Sequence, residues 1–167
     1  MKLYAGTRMV KEVEKKIDAK EILFQSGKII LVSTKPYYKI PLNRKRYVFI
    51  WGDIYAIKHS NGTYDLIDMA IERGTILKEM FEAYSITEVS RFIEGNYVGI
   101  FVGHDDEVVI FGDIFNRTEV FYTFKKDGAI VSTDLEALTA EDKEVKYSQV
   151  ALSNLLTVYG YYAPKKH

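Results

Sequence analysis

The sequence predicts a single α+β domain, and three observations predict it. The chain has 167 residues, 47% apolar and 28% charged, which is the size and mix of one soluble unit with a real core. Short apolar runs recur with turn residues between them, most densely from residue 96 to residue 134. Helix-spaced apolar residues occupy the middle and the end of the chain.

Taken in order, "KLYAGTRMV" reads as an opening strand, and "EILFQSGKIILVS" as two strands about Ser26-Gly27. "RYVFIWGDIYAIK" is a longer strand interrupted at Gly52, where a bulge or a close backbone approach is expected. "HSNGTY" is a turn. In "YDLIDMAIERGTILKEMFEAYS", Leu66, Ile67, Met69 and Ala70 recur at helical spacing. Ile76, Leu77, Met80, Phe81 and Tyr84 do so again, giving two helices joined at Gly74. Thr87 then caps a short helical turn, "EVSRFI". "NYVGIFVG", "EVVIFGD", "EVFYTFKK" and "AIVSTD" are strands so closely spaced that antiparallel pairing is required. Val108 to Phe111 is nearly all apolar, so that strand should be covered on both faces. "TDLEALTA" opens a short helix after Asp134, "SQVALSNLLTVYG" is an amphipathic helix capped by Ser148, and Pro164 ends any helix. The expected boundaries are a domain over 1–160 and a linker or tail over 161–167.

Composition narrows the function classes. Lysine plus arginine number 23 and aspartate plus glutamate also 23, so the basic excess of a nucleic-acid binder is missing. The one dense basic run, Asn43-Arg44-Lys45-Arg46, reads as a solvated loop, with an anion or partner contact as the sharper alternative. The 13 tyrosines and nine phenylalanines fit aromatic-rich sheet faces. The absence of cysteine removes disulfides, thiolate metal sites and thiol nucleophiles together. The N-terminus lacks the apolar core of a signal peptide, and no stretch approaches the ~20 apolar residues of a membrane helix. A cytoplasmic location with no membrane partner is therefore expected. His59, His104 and His167 lack metal-ligand spacing, "GHDDE" lacks the pattern of a calcium loop, and no P-loop is present. No cofactor or metal is expected.

The turn in "FGDIFNRTEVFY" carries more information. The order of elements from about Tyr47 onward resembles the glutaminase domain of class II glutamine amidotransferases, in the form found at the front of asparagine-synthetase-like proteins. That family's sheet carries R-D-x-x-G-x-[RK]-P-L-[YF]-Y, then A-S-E-[IL]-K-A-L. Here the corresponding segments are Gly112-Asp113-Ile114-Phe115-Asn116-Arg117-Thr118-Glu119-Val120-Phe121-Tyr122 and Ser132-Thr133-Asp134-Leu135-Glu136-Ala137-Leu138. "FIEGNYVGIFV" resembles the family strand L-x-G-x-F-A-F, "WGDIYA" stands where N-G-E-I-Y-N would, and "LLTVYGYYAP" resembles the exit towards a synthetase domain. The resemblance implies a four-layer αββα sandwich of two antiparallel sheets, of the N-terminal-nucleophile hydrolase type. It also implies a synthetase-like partner, in cis or in trans.

The departures are chemical. The family's nucleophile is a cysteine directly after the initiator methionine, with its own α-amine as base. This chain has Lys2 there, a residue too bulky for efficient removal of Met1. The family's oxyanion-hole asparagine is Trp51, whose bulk should fill the pocket, while Gly52 and Asp53 keep the backbone shape and one carboxylate. Losing one oxyanion donor alone costs about 10²–10³ in rate. "LVSTKP" offers no arginine to clamp a substrate carboxylate, and "RGTILKEM" lacks the family's substrate-binding aspartate. Asn116 replaces the turn glycine and is the residue best able to substitute for it. The sequence thus predicts a catalytically degenerate domain with a relict pocket at Trp51, Gly52, Asp53, Asp113 and Asp134. Two alternatives remain: a hydrolase using Thr7 after cleavage of the Gly6–Thr7 bond, and a small-ligand sensor in the relict pocket. Homodimerisation is a further possibility.

Overall fold

The computed structural model describes residues 1–14, 21–58, 61–66, 73–115 and 117–139. The helix expected over 148–160, the tail 161–167, Asn116, His59 and His167 lie outside the described residues. The chain divides into two compact units after Asp134. The first unit, Met1–Asp134, contains every strand given below. The second contributes one described element, helix α4 (Leu135–Thr139), at the place expected after Asp134.

The first unit is α+β with two antiparallel sheets. Strands β1 (Lys2–Ala5), β2 (Ile22–Gln25), β3 (Ile29–Val32), β9 (Phe121–Lys125) and β10 (Gly128–Ser132) form the first sheet, in the order β2-β3-β1-β10-β9. Strands β4 (Tyr38–Pro41), β5 (Tyr47–Lys58), β7 (Ile93–Val102) and β8 (Val108–Gly112) form the second, in the order β4-β5-β7-β8. The short β6 (Tyr64–Leu66) pairs with the far end of β5.

The two faces of β5 and β7 explain the layering. Along β5, Phe49 and Trp51 point into a core shared with Leu3, Ile29, Leu31 and Val131 of the first sheet. Val48, Ile50 and Ile54 point the other way, against Leu77, Phe81 and Val89 of helices α2 (Arg73–Ala83) and α3 (Ile86–Phe92). In β7, Val98, Ile100 and Val102 serve the first core, and Ile93, Tyr97 and Phe101 the second. Strand alternation requires this division. Both Ile54 and Ile57 face the helices, although three residues apart, because the register slips by one at Tyr55. That bulge restores the buried phase. On the outer side of the first sheet, Tyr4 and Ile30 are buried and helix α1 (Thr7–Glu14) packs with its buried Val10.

Several expectations need correction. The opening strand ends at Ala5 because Gly6 takes a φ of +132°, and any Cβ there would collide with the Asp127 carbonyl. Thr7 therefore begins a helix and is not a strand residue. Tyr64–Leu66 are a strand and not a helix start, Gly74 is the second residue of α2, and the first expected helix, with Ile67, Met69 and Ala70, lies outside the described residues. Ser85, not Thr87, caps α3. Its hydroxyl accepts from the Glu88 N–H while the Glu88 carboxylate accepts from the Ser85 N–H, a complete capping box. The Arg44-Lys45 pair adopts positive φ in a tight turn, and Arg46 is no free cation, since its guanidinium lies 2.6 Å from Glu82 on α2. Finally, β8 and β9 do not pair but belong to different sheets. Among the described residues no helix is long and apolar enough to cross a membrane.

At Gly52 the φ is +97°, and an added Cβ would strike the Asn96 carbonyl on β7. Opposite, a Cβ on Gly95 would strike the Asp53 carbonyl. Close backbone approach is thus the reason for Gly52, and the bulge lies three residues on. Gly52→Ala should lower stability by at least about 2 kcal/mol. Gly62→Ala, also at positive φ but in open space, should cost about 1 kcal/mol. Urea denaturation of both variants checks the difference.

Candidate functional site

The segment between β8 and β9 crosses from one sheet to the other, and it builds one wall of a cavity at the end of the sandwich. Asp113, only 6% exposed, holds this crossover. Its carboxylate accepts the Phe115 N–H at 2.9 Å and the Arg117 N–H at 3.2 Å, while its own N–H reaches the Tyr97 carbonyl at 3.3 Å. An aspartate that satisfies the N–H groups of its own turn is a local solution to the backbone accounting of a tight bend. Two further bonds tie the turn to β7. Arg117 donates to the Gly95 carbonyl at 3.2 Å, and Thr118 donates to the Asn96 side-chain oxygen at 3.2 Å.

The cavity behind this turn measures about 540 Å³ and is lined by Lys35, Trp51, Gly52, Val98, Arg117, Thr118, Glu119 and Thr133. Its walls come from both sheets and from the crossover. Trp51 is 6% exposed. Its indole N–H donates to the Ser33 hydroxyl at 3.0 Å, and the ring stacks on Phe49 with centroids 6.4 Å apart. Tyr37 leans on both rings at 6.2 Å. The indole is therefore fixed as wall and core at once, and it leaves the cavity open beside it.

The chain's first residue reaches the same place. The Met1 side chain is 7% exposed and belongs to the inter-sheet core. Its carbonyl accepts from the Thr133 N–H at 3.2 Å and from the buried Ser132 hydroxyl at 3.3 Å. Its α-ammonium donates to the Thr133 hydroxyl at 3.3 Å. Burial is the main cause that lowers this amine below its ordinary value of 8.0, and Lys35 adds to it. Asp134 opposes the shift, and Lys2 reinforces it.

The residues expected at the site divide into two groups. Trp51 and Gly52 line the cavity. Asp113 supports the turn and is not a wall, Asp53 is exposed on β5, and Asp134 acts on the Met1 amine through its charge. Thr7 opens α1 behind Gly6, whose N–H and carbonyl are both engaged, with Lys28 and Val10. Lys35, Arg117, Thr118, Glu119 and Thr133 were not singled out from sequence. They come together only because the crossover changes sheets, which spacing along the chain does not reveal. His104 is exposed in the β7–β8 turn, and among the described residues no cluster of metal-ligating side chains occurs. Tyr97 is fully buried and its hydroxyl has no partner among the described residues. Burial above all, then Asp113 and Glu94, pushes its pKa upward, so it stays neutral.

Two outcomes follow from this geometry. Asp113→Ala leaves the turn N–H groups without their acceptor and should cost about 2–3 kcal/mol, read from the denaturation midpoint. The Met1 amine gives a pH signature. Its pKa is lower folded than unfolded, so the unfolded chain binds the proton more tightly. Stability should rise with pH through the interval between the depressed pKa and 8.0, and this contribution should be level above it. Denaturation midpoints from about pH 6 to about pH 9 read it directly.

Comparison with protein-family models, with curated proteins and with solved structures gives no match.

Proposed function

We propose that this chain is a non-catalytic glutaminase-like domain of the N-terminal-nucleophile type, with an assembly or regulatory role beside an ATP-dependent amide-forming activity. One observation carries the reading: the chain's N-terminus is held at the mouth between two antiparallel sheets, in a form unsuited to acyl transfer. Met1 buries its thioether in the core and its α-amine is tied to Thr133. No cysteine exists to attack an amide. Of the cavity's hydroxyls, Thr118 donates to Asn96 and the Thr133 oxygen accepts from the Met1 ammonium. A hydroxyl that accepts from a cation is a poor nucleophile, since activation requires a base at the same oxygen. Trp51, where an oxyanion donor would stand in the family, spends its N–H on Ser33.

The partner expected from this reading is a synthetase-like domain or subunit that supplies the ATP chemistry, with homodimerisation as an additional mode. The two hypotheses of function, scaffold and active hydrolase, separate in one assay. The purified protein incubated with L-glutamine should release no ammonia above buffer. A steady rate that survives repurification would overturn the reading. Affinity capture from native lysate should then recover a subunit carrying an ATP pyrophosphate loop.

A further inference from the structure

The cavity beside Met1 is short of negative charge. Three cationic groups stand on separate elements around it: Lys35 after β3, Arg117 on the crossover, and the Met1 α-ammonium behind Thr133. Their present partners are neutral. The ammonium donates to a hydroxyl and Arg117 to a carbonyl, while the Lys35 ammonium makes no hydrogen bond or ion pair among the described residues. Lys35 lies close enough to the Met1 amine to add to the lowering of its pKa by burial. Against them, Glu119 is the one carboxylate among the described residues of the lining, and Asp134 acts from outside it.

The remaining hydrogen-bonding capacity has a shape. Thr133 accepts from the ammonium and so keeps its O–H to donate, and a guanidinium with one N–H engaged on Gly95 has others to offer. Donor-bearing residues therefore border the cavity on three separate segments, at Lys35, Arg117 and Thr133. A planar carboxylate presents two oxygens in one plane, whereas a tetrahedral oxyanion presents three or more, one for each wall. Trp51 and Val98 supply an apolar floor beneath them.

We propose that this cavity binds a phosphate-type dianion, either inorganic phosphate or the phosphate group of a small molecule whose remainder rests on Trp51 and Val98. The proposal deepens the non-catalytic reading of the same site and rests on it. It makes the domain a ligand-responsive element as well as a scaffold.

Trp51 is the only tryptophan and forms a wall of the cavity, so its fluorescence reports occupancy, with calorimetry as a second readout. The probes are inorganic phosphate, glycerol phosphate and, at matched ionic strength, acetate. Saturable one-to-one binding of phosphate or glycerol phosphate, with acetate much weaker, is the expected result. Lys35→Gln and Arg117→Gln, both exposed side chains, should each weaken it about tenfold or more, and Glu119→Gln should strengthen it. Tighter binding of inorganic phosphate identifies the free ion, and tighter binding of glycerol phosphate identifies a phosphorylated molecule. Either supports the site. No saturable binding by both readouts, acetate binding as tight as phosphate, or binding unchanged in both cation variants overturns it. Failure here with no ammonia released from glutamine removes the ligand and leaves the non-catalytic reading intact. Ammonia release would remove that reading whatever phosphate does.

Discussion

The pairing of β5 with β7 is the constraint on which the rest of the unit depends. These two strands are apolar on both faces, so a single ladder must serve the inter-sheet core and the helix-side core together. A strand buried on both sides has no polar face to tolerate a slip, and a shift of one residue would exchange the two cores. The fold meets that demand locally. Gly52 and Gly95 let the backbones approach where any side chain would collide, and the slip at Tyr55 returns Ile57 to the helix side after the kink. Phe111 then covers Gly99, where a Cβ would enter its ring. Glycine here is a packing requirement of the central ladder and not a sign of looseness.

From that ladder the crossover follows. β8 is the outer strand of the second sheet, and β9 the outer strand of the first. The chain must therefore pass over the open end of the sandwich between Gly112 and Phe121. A bend of this kind exposes several N–H groups without ladder partners, and burying them unpaired would cost about 1–3 kcal/mol each. Asp113 answers with two acceptor oxygens, and Arg117 and Thr118 fasten the far side to β7. The same residues that close the sandwich give the cavity its wall. The turn's shape and the site's composition are thus one solution to one problem.

This dual use explains what could be read from the sequence. Strands whose identity rests on alternation and turn residues were legible: the Ser26 hairpin, the long strand through Gly52, and the pairs β7–β8 and β9–β10. Trp51 and Gly52, expected at a pocket only through the family resemblance of their segment, do line the cavity. The sheet change at Asp113 was not legible, because short spacing argues for a hairpin with equal force in either case. Arg117, Thr118 and Glu119 were hidden with it as wall residues, and Lys35, Val98 and Thr133 join them from other parts of the chain. The start of α1 was hidden by Gly6, whose positive φ ends a strand that its neighbours would continue. The cap of α3 was a missed pattern of a different kind. Ser85-x-x-Glu88 is present in plain sequence, two residues before the Thr87 expected as the cap.

The N-terminus brings these strands of reasoning to one point. Burying the Met1 side chain between the sheets stabilises by about 2 kcal/mol, and strand β1 aligns its first residue with the end of β10. The α-amine has no independent choice of position. It is carried into a partly buried place beside Lys35 by the packing of its own side chain. Packing thus overrules electrostatics at this end of the sandwich, and a neutral hydroxyl is the partner the fold provides. An amine so placed is either neutral, which burial favours, or charged and in want of an anion. The first condition stabilises the empty cavity as pH rises. The second adds a third cation to Lys35 and Arg117, so the proposed anion binding should weaken as the amine loses its proton.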